Sequence, residues 1–245
     1  MESQLINGDA FKQTYRFEKG FANLIIVDPP YNIGSKTKLT KVKGKIITTE
    51  EAWGKAFDKN MNDKEYIEYM DKLCNLCDYA LYDKGSLIIF FDRAKPFYLL
   101  PFYDRFKFRN MLCFIKKNPV PHFRKNNYRS GFELAAWFSR EKYDINFISQ
   151  EKMINVFYGN IGRKETSHPT EKYEWMIEPL ILRHSKRNDV VFDPMMGSGI
   201  VPVMCKRHGR KYVGIEINEE YFNIAKERIE NTNLPIEWFL NVENN

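Results

Sequence analysis

The sequence predicts an α/β fold, and three observations carry that prediction. Short apolar runs alternate with stretches of helical period, several runs end on a polar residue, glycine or proline, and the composition can fill a core. Hydrophobic residues make up 43% and aromatic residues 15% of 245 positions. That suits one large domain spanning 1–245 with insertions.

In chain order, strands are expected at 4–6 (QLI), 24–27 (LIIV), 86–91 (SLIIFF), 111–115 (MLCFI), 132–138 (FELAAWF), 190–192 (VVF) and 211–215 (KYVGI). Helices are expected at 64–82, at 171–184, in a short stretch after Ser198, and at 219–231. Two segments break the alternation. Residues 35–59 carry Lys36, Lys38, Lys41, Lys43, Lys45 and Lys55 with little periodicity, and read as a loop insertion at about 35–60. Residues 140–166 are irregular, polar and aromatic.

Thirty-eight basic against 32 acidic residues leave a net charge of +6, so the surface field modestly favours a polyanion. The four cysteines are Cys74, Cys77, Cys113 and Cys205, and only Cys74 and Cys77 are close in sequence. With no second pair and no histidine nearby, they read as buried helix cysteines in a reducing, cytoplasmic setting, and no metal is expected. No stretch approaches the ~18 apolar residues of a membrane span, and the N-terminus lacks a signal-like apolar core.

Two motifs carry chemistry. The first is VDPPYNIG, which directly follows the apolar run ending at Val27. Ligands of open α/β sheets bind beyond the carboxyl ends of strands. Pro29 and Pro30 fix two φ angles and remove two N–H donors, leaving a rigid turn rich in acceptors. An exocyclic aromatic amine needs such a turn, because its lone pair is delocalised into the ring until its hydrogens are drawn out of plane. Asp28 can accept one N–H and the Pro29 carbonyl the other, while Tyr31 offers a ring face to a base removed from a duplex. As a turn alone DPPY would be unremarkable, but its chance occurrence in a chain of this length is on the order of 10⁻³.

The second motif is VVFDPMMGSGIV, where a strand runs through Asp193 and Pro194 into Gly197, Ser198 and Gly199 before a helix. Glycines permit close approach of backbone to ligand, and a helix start offers N–H groups. Glu216 ends the next strand, where it can accept hydrogen bonds from both ribose hydroxyls of a nucleoside cofactor. A dinucleotide would make the same demands, but G-x-G-x-x-G is absent. The arrangement suits a ligand with an α-amino acid end.

With these motifs in this order, the chain resembles the β-class DNA amino-methyltransferases of restriction-modification and orphan methylation systems. Three more segments are similar to that family: NGDAF (7–11), FIKKNPVPHFRKNNYRSGFELAAWFS (114–139) and HPTEKY (168–173). The resemblance implies a Rossmann-like, mostly parallel seven-stranded sheet with helices on both faces, in the circularly permuted motif order. It implies S-adenosylmethionine as cofactor, with Asp193, Pro194, Gly197, Ser198 and Gly199 on the methionine side, Glu216 and Ile217 at the ribose, Asp9 at the adenine, and Thr170 and Lys172 near the carboxylate end. Asp28 would face both methyl donor and target.

It also implies double-stranded DNA as substrate, methylated at adenine N6 after base flipping, with N4 of cytosine as the alternative. A second copy of the chain and a cognate restriction endonuclease are further expected partners. Two departures, D-P-M-M-G-S-G-I for D-P-F-x-G-S-G-T and HPTEKY without a final proline, predict altered cofactor packing. RNA and protein-glutamine methyltransferases with related turns usually place the cofactor motif first. No cysteine occupies the Pro-Pro-Tyr turn, which argues against carbon-5 cytosine chemistry.

For DNA, Lys36, Lys38, Lys41 and Lys43 are candidate phosphate contacts. Arg124, Lys125, Asn126, Asn127 and Arg129 combine residue types that read base edges. Residues 140–166 would form a small target-recognition segment. His168 reads as a helix-entry or packing residue, since direct amine attack needs no strong base, and Trp53, Trp137 and Trp175 read as packing.

Overall fold

The computed structural model describes residues 1–32, 40–42, 45–47, 61–121, 126–162 and 171–233. The long parallel strands form because their segments are apolar on both faces. In β2 (Ala22–Val27), Ile25 and Val27 join one core and Leu24 and Ile26 the other. In β5 (Leu81–Phe91), Leu87, Ile89 and Phe91 face the first core and Ile88 and Phe90 the second. Strands buried on both sides read as continuous apolar runs. Each fully buried large side chain contributes about 1.5–3 kcal/mol.

The main sheet adds β1 (Gln4–Asn7), β6 (Lys107–Lys116), β7 (Phe132–Ser139), β8 (Val156–Gly159), β9 (Val190–Asp193) and β10 (Lys211–Glu216). Its spatial order is β1-β10-β9-β2-β5-β7-β6-β8. Only β7 opposes its neighbours; the other seven strands run in one direction. The sheet therefore has eight strands rather than the expected seven. The extra one, β8, comes from the stretch read as irregular, where four residues were too few to show a period. β3 (Thr40–Val42) and β4 (Lys45–Ile47) form a separate antiparallel ribbon inside the segment read as a loop.

On one face lie α1 (Ala10–Gln13), α2 (Asp63–Ala80) and α3 (Leu100–Arg105); on the other lie α4 (Glu174–His184) and α5 (Ile200–His208), with α6 (Glu219–Glu230) packed against α5. In α2, Tyr66, Met70, Leu73, Cys74, Cys77 and Ala80 recur at helical spacing on the buried side. Asn62 and Glu65 cap it reciprocally: each side chain accepts the other's backbone N–H at 2.9 Å. The helix ends two residues earlier than expected because Leu81 is already extended and starts β5. Both cysteines are buried in α2, as expected, and burial pushes the Cys74 thiol up to about 12.

The ends of the insertion are tied together. Asn32 sits in the left-handed region at φ 52°, donates Nδ2–H to the Met61 carbonyl at 2.9 Å, and accepts the Met61 N–H at 3.0 Å. The segment between them thus leaves and returns at one point beside the DPPY turn.

Candidate active site

β2 and β9 are parallel neighbours. From β9 the chain goes to β10 on one side, and from β2 to β5 on the other, so their carboxyl ends form the topological switch point where open α/β sheets bind ligands. Four successive strands each present a carboxylate at this edge. They are Asp9 just after β1, Glu216 at the end of β10, Asp193 at the end of β9, and Asp28 just after β2. All four line one cavity of about 440 Å³, together with Glu171, Lys172, Gly197, Ser198 and Ile217 and the apolar side chains of Phe11, Tyr69, Met195 and Ile177. That volume lies within the ~300–1,000 Å³ of small-molecule sites.

Asp193 is 5% exposed, and its Oδ1 accepts the Met195 N–H at 3.0 Å. Burial, reinforced by the Asp28 and Glu216 charges, raises its pKa well above the ordinary carboxylate value, against that hydrogen bond. Burial also raises Glu216, opposed by backbone N–H groups: Oε2 accepts from Gly197 at 2.9 Å and Oε1 from Asn218 at 2.7 Å. Glu216 therefore shapes the glycine loop as well as facing the cavity. Asp9 caps α1 by accepting the Phe11 N–H at 3.0 Å. Carboxylates destabilised by burial and mutual repulsion fit a ligand carrying positive charge and hydroxyl donors. S-adenosylmethionine, a sulfonium with an α-amino group and a ribose, has that chemistry.

Gly199 lies outside the cavity lining. It opens α5 at φ 81°, where a Cβ would stand 2.7 Å from Ala225 Cβ, so its place is a close contact with α6. Gly197, at φ 53°, and Ser198 do line the cavity.

In the DPPY turn, Asp28 Oδ1 accepts the Tyr31 hydroxyl at 2.5 Å, and Oδ2 contacts Lys172 Nζ at 2.7 Å. Lys172 also reaches Glu133 Oε2 at 3.0 Å, and Glu133 holds Lys116 at 2.6 Å. The result is an alternating chain of charges, Lys116, Glu133, Lys172, Asp28. From α2, the Tyr66 hydroxyl donates to the Pro30 carbonyl and fixes the turn from behind. Asp28 keeps 26% of its side chain exposed while Lys172 keeps 9%, so the carboxylate is the member that faces the opening.

Sequence reasoning missed Glu133, Tyr66, Tyr69 and Asn32. It placed Lys172 at the cofactor site near the carboxylate end; Lys172 does line the cavity, and its ammonium rests on Asp28 and Glu133. Thr170 and His168 lie outside the described residues, as does Trp53. Trp137 and Trp175 pack as expected, against His184 and Phe114.

Burial opposes ionisation of Glu133, but the Lys172 and Lys116 ammoniums prevail and hold its carboxyl at about 2. A depressed folded-state pKa gives stability that is present above the unfolded value near 4.5 and lost as pH falls toward 2. Urea unfolding from pH 7 to pH 3 should therefore show a stability gap between wild type and Glu133→Gln, on the order of 2–3 kcal/mol at pH 7 and closing in acid. A gap independent of pH would remove this electrostatic account.

The surface beyond this edge carries part of the predicted DNA set. Because β7 runs opposite to β6, the connection between them, with Asn126, Asn127 and Arg129, stands on the same edge as Asp28. Asn127 accepts the Tyr128 N–H at 2.7 Å, Arg129 donates to the Pro119 carbonyl, and Tyr128 is 95% exposed. Lys36, Lys38, Lys43, Arg124 and Lys125 lie outside the described residues, and for Lys41 only the backbone of β3 is described. The expected recognition segment divides. β7 ends at the far edge, so residues 140–155 start there, tied by Asn146 to the carboxyl end of α4 through Leu182 and Ser185 carbonyls, both at 2.7 Å. Only from β8 onward does that stretch return to the Asp28 edge, where Ile161 and Asn118 bond reciprocally at 2.7 and 2.8 Å.

The family model for DNA methylase of the N6/N4 type matches residues 22–227. The chain is 27% identical over 241 residues to the type II methyltransferase M2.LlaDCHI of Lactococcus lactis subsp. cremoris, covering 92% of this chain and 88% of that protein. It is 26% identical over 245 residues to M2.DpnII of Streptococcus pneumoniae, covering 94% and 90%. Among solved structures, an M1.HpyAVI complex with S-adenosylmethionine aligns over 92% of this chain and 98% of that one, with a TM-score of 0.66 at 23% identity. The cytosine-N4-specific PvuII DNA methyltransferase aligns over 100% and 92%, with a TM-score of 0.72 at 17% identity, a likeness of fold. No described helix is long and apolar enough to cross a membrane, and no described group of three or more His, Cys, Asp or Glu residues could hold a metal ion. The family match over most of the chain, on a sheet whose switch point carries an acidic cavity beside a DPPY turn, makes this chain a member of the N6/N4 DNA methylase family, whose methyl donor is S-adenosylmethionine.

Proposed function

We propose that the enzyme methylates N6 of adenine in double-stranded DNA, taking the base out of the duplex and transferring the methyl group in one direct displacement. The observation that supports this most is the adjacency of Asp28 and Asp193 at the ends of paired strands, which puts a partly exposed acceptor at the wall of the cofactor cavity. S-adenosylmethionine would supply an electrophilic methyl on its sulfonium, the C–S bond breaking as the N–C bond forms so that S-adenosylhomocysteine leaves. Asp193 and Glu216 hold its polar groups, and the Gly197–Ser198 backbone allows its close approach. Asp28 and the Pro29 carbonyl accept the two amine hydrogens and turn the nitrogen lone pair toward the cavity. Tyr31 offers its ring to the base, a contact of about 1–3 kcal/mol. The proton leaves for Asp28 after the new bond forms, so no covalent enzyme intermediate is needed.

Asn126, Asn127 and Arg129 with the lysines at 36, 38, 41 and 43, Arg124 and Lys125 would hold the duplex. The type II relatives also support a cognate restriction endonuclease, and a second copy of the chain is a further expected partner. Tritiated S-adenosylmethionine and unmethylated duplex DNA, followed by nucleoside analysis, test the reading: label is expected in N6-methyladenine. Label in N4-methylcytosine would transfer the assignment to cytosine. Duplex affinity should fall on the order of 10³-fold between about 50 and about 200 mM salt, and a flat response would count against a phosphate-tracking surface.

A further inference from the structure

Lys172 enters the site from the extended lead-in to α4. Its ammonium has three N–H donors, and three acceptors surround it: Asp28 Oδ2 at 2.7 Å, Glu133 Oε2 at 3.0 Å and the Tyr31 hydroxyl at 3.2 Å. The faces of Phe90 and Tyr31 lie 4.9 and 5.4 Å away. Every donor is therefore committed within the protein, and none remains to bind a cofactor carboxylate. The Tyr31 hydroxyl, which accepts from Lys172, passes its own hydrogen to Asp28 Oδ1 at 2.5 Å. Asp28 is thus gripped on both oxygens by one closed ring of hydrogen bonds. Each carboxylate oxygen has about two lone-pair positions, so this grip leaves acceptor capacity on the side that is open.

We propose that Lys172, itself held by Glu133, is the positioning residue of methyl transfer: it orients Asp28 toward the target amine, and it does not bind the cofactor's carboxylate. This rests on Asp28 being the amine acceptor. The groups facing Asp28 are Tyr31 on its own turn, Lys172 before α4, Glu133 on β7 through Lys172, and Asp193 on β9. The nearby Asp193 and Glu133 carboxylates disfavour a further negative charge, and Lys172 is the one described cation in direct contact that offsets them. Removing the ammonium takes away the contact that fixes Oδ2 and opens the ring that holds the carboxylate, so Asp28 can turn away from the amine and the amine loses its acceptor.

The test compares full-length wild type with Lys172→Met, Lys172→Arg and Glu133→Gln. Single-turnover transfer is followed at saturating S-adenosylmethionine, and cofactor affinity is measured by calorimetry. Lys172→Met should lower the rate about 10²-fold, the scale of a misplaced reacting group. Cofactor affinity should stay within a few-fold. Lys172→Arg should recover much of the rate. Glu133→Gln, which keeps the ammonium, should show a smaller loss in the same direction and keeps the question open to measurement if Lys172→Met does not fold. A large loss of cofactor affinity with an unchanged rate at saturation would overturn the proposal in favour of a cofactor ligand. A rate loss with no recovery by arginine would reduce Lys172 to packing. Full activity of Asp28→Ala, by contrast, would sink the parent reading alone.

Discussion

Asp28→Ala should lower methyl transfer by about 10³-fold or more, the upper part of the range for removing a positioned proton acceptor. The variant should still fold and bind S-adenosylmethionine. Asp28 is the partly exposed member of its charge chain, while Lys172 keeps Glu133 as a partner, so the deletion does not strand an unpaired buried ammonium. The other four acidic residues of the cavity, Asp9, Glu171, Asp193 and Glu216, and the glycine loop are untouched. Single-turnover transfer with calorimetric binding separates the two effects. Transfer within tenfold of wild type, with the fold intact, would show that the amine needs no carboxylate at this position. Asp28→Asn is a sharper form of the same test. Its amide oxygen can accept from only one of Lys172 and Tyr31, its NH2 meets the other, which itself donates, and the negative charge is gone, so it should fare little better than alanine.

Much of this site was legible in the sequence because its chemistry is local. DPPY follows an apolar run, and the glycine loop follows another, so the strand ends and their acids could be located without knowing how the strands pair. The sheet then brought Asp28 and Asp193 together as neighbours, which the motif order alone could not do. What stayed hidden depends on contacts between distant parts of the chain. Glu133 sits in FELAAWF, an apolar strand where one acid looks incidental, and its partner Lys172 is far along the sequence. Asn32 reads as a turn residue until Met61 is seen beside it. VFYG is too short to announce β8, and the reversal at β7 that sends residues 140–155 to the far edge leaves no trace in composition. Gly199 was read with its motif as facing the ligand, because a glycine's sequence context cannot say whether backbone or ligand fills the missing side chain's place.

That distinction has a large consequence. Gly199→Ala should cost about 2–4 kcal/mol, from two sources that act together. At φ 81° an L side chain is strained by roughly 1–2 kcal/mol. Its Cβ would also stand 2.7 Å from Ala225 Cβ and 3.1 Å from Ala225 Cα, and such overpacking typically costs about 1–3 kcal/mol. For a domain of this size the loss corresponds to a melting temperature lower by roughly 5–15 °C. Cofactor affinity should fall as well, since α5 can relieve the contact only by shifting the Gly197–Ser198 loop that Glu216 holds at 2.9 Å. Ala225→Gly separates the two sources. It opens the space but leaves the backbone strain and adds about 1 kcal/mol of helix cost on α6. The double variant should therefore be more stable than the sum of the single changes predicts, by about 1 kcal/mol or more in a double-mutant cycle. Strict additivity would mean that α5 and α6 do not meet at this point, and the glycine would then be explained by its φ alone.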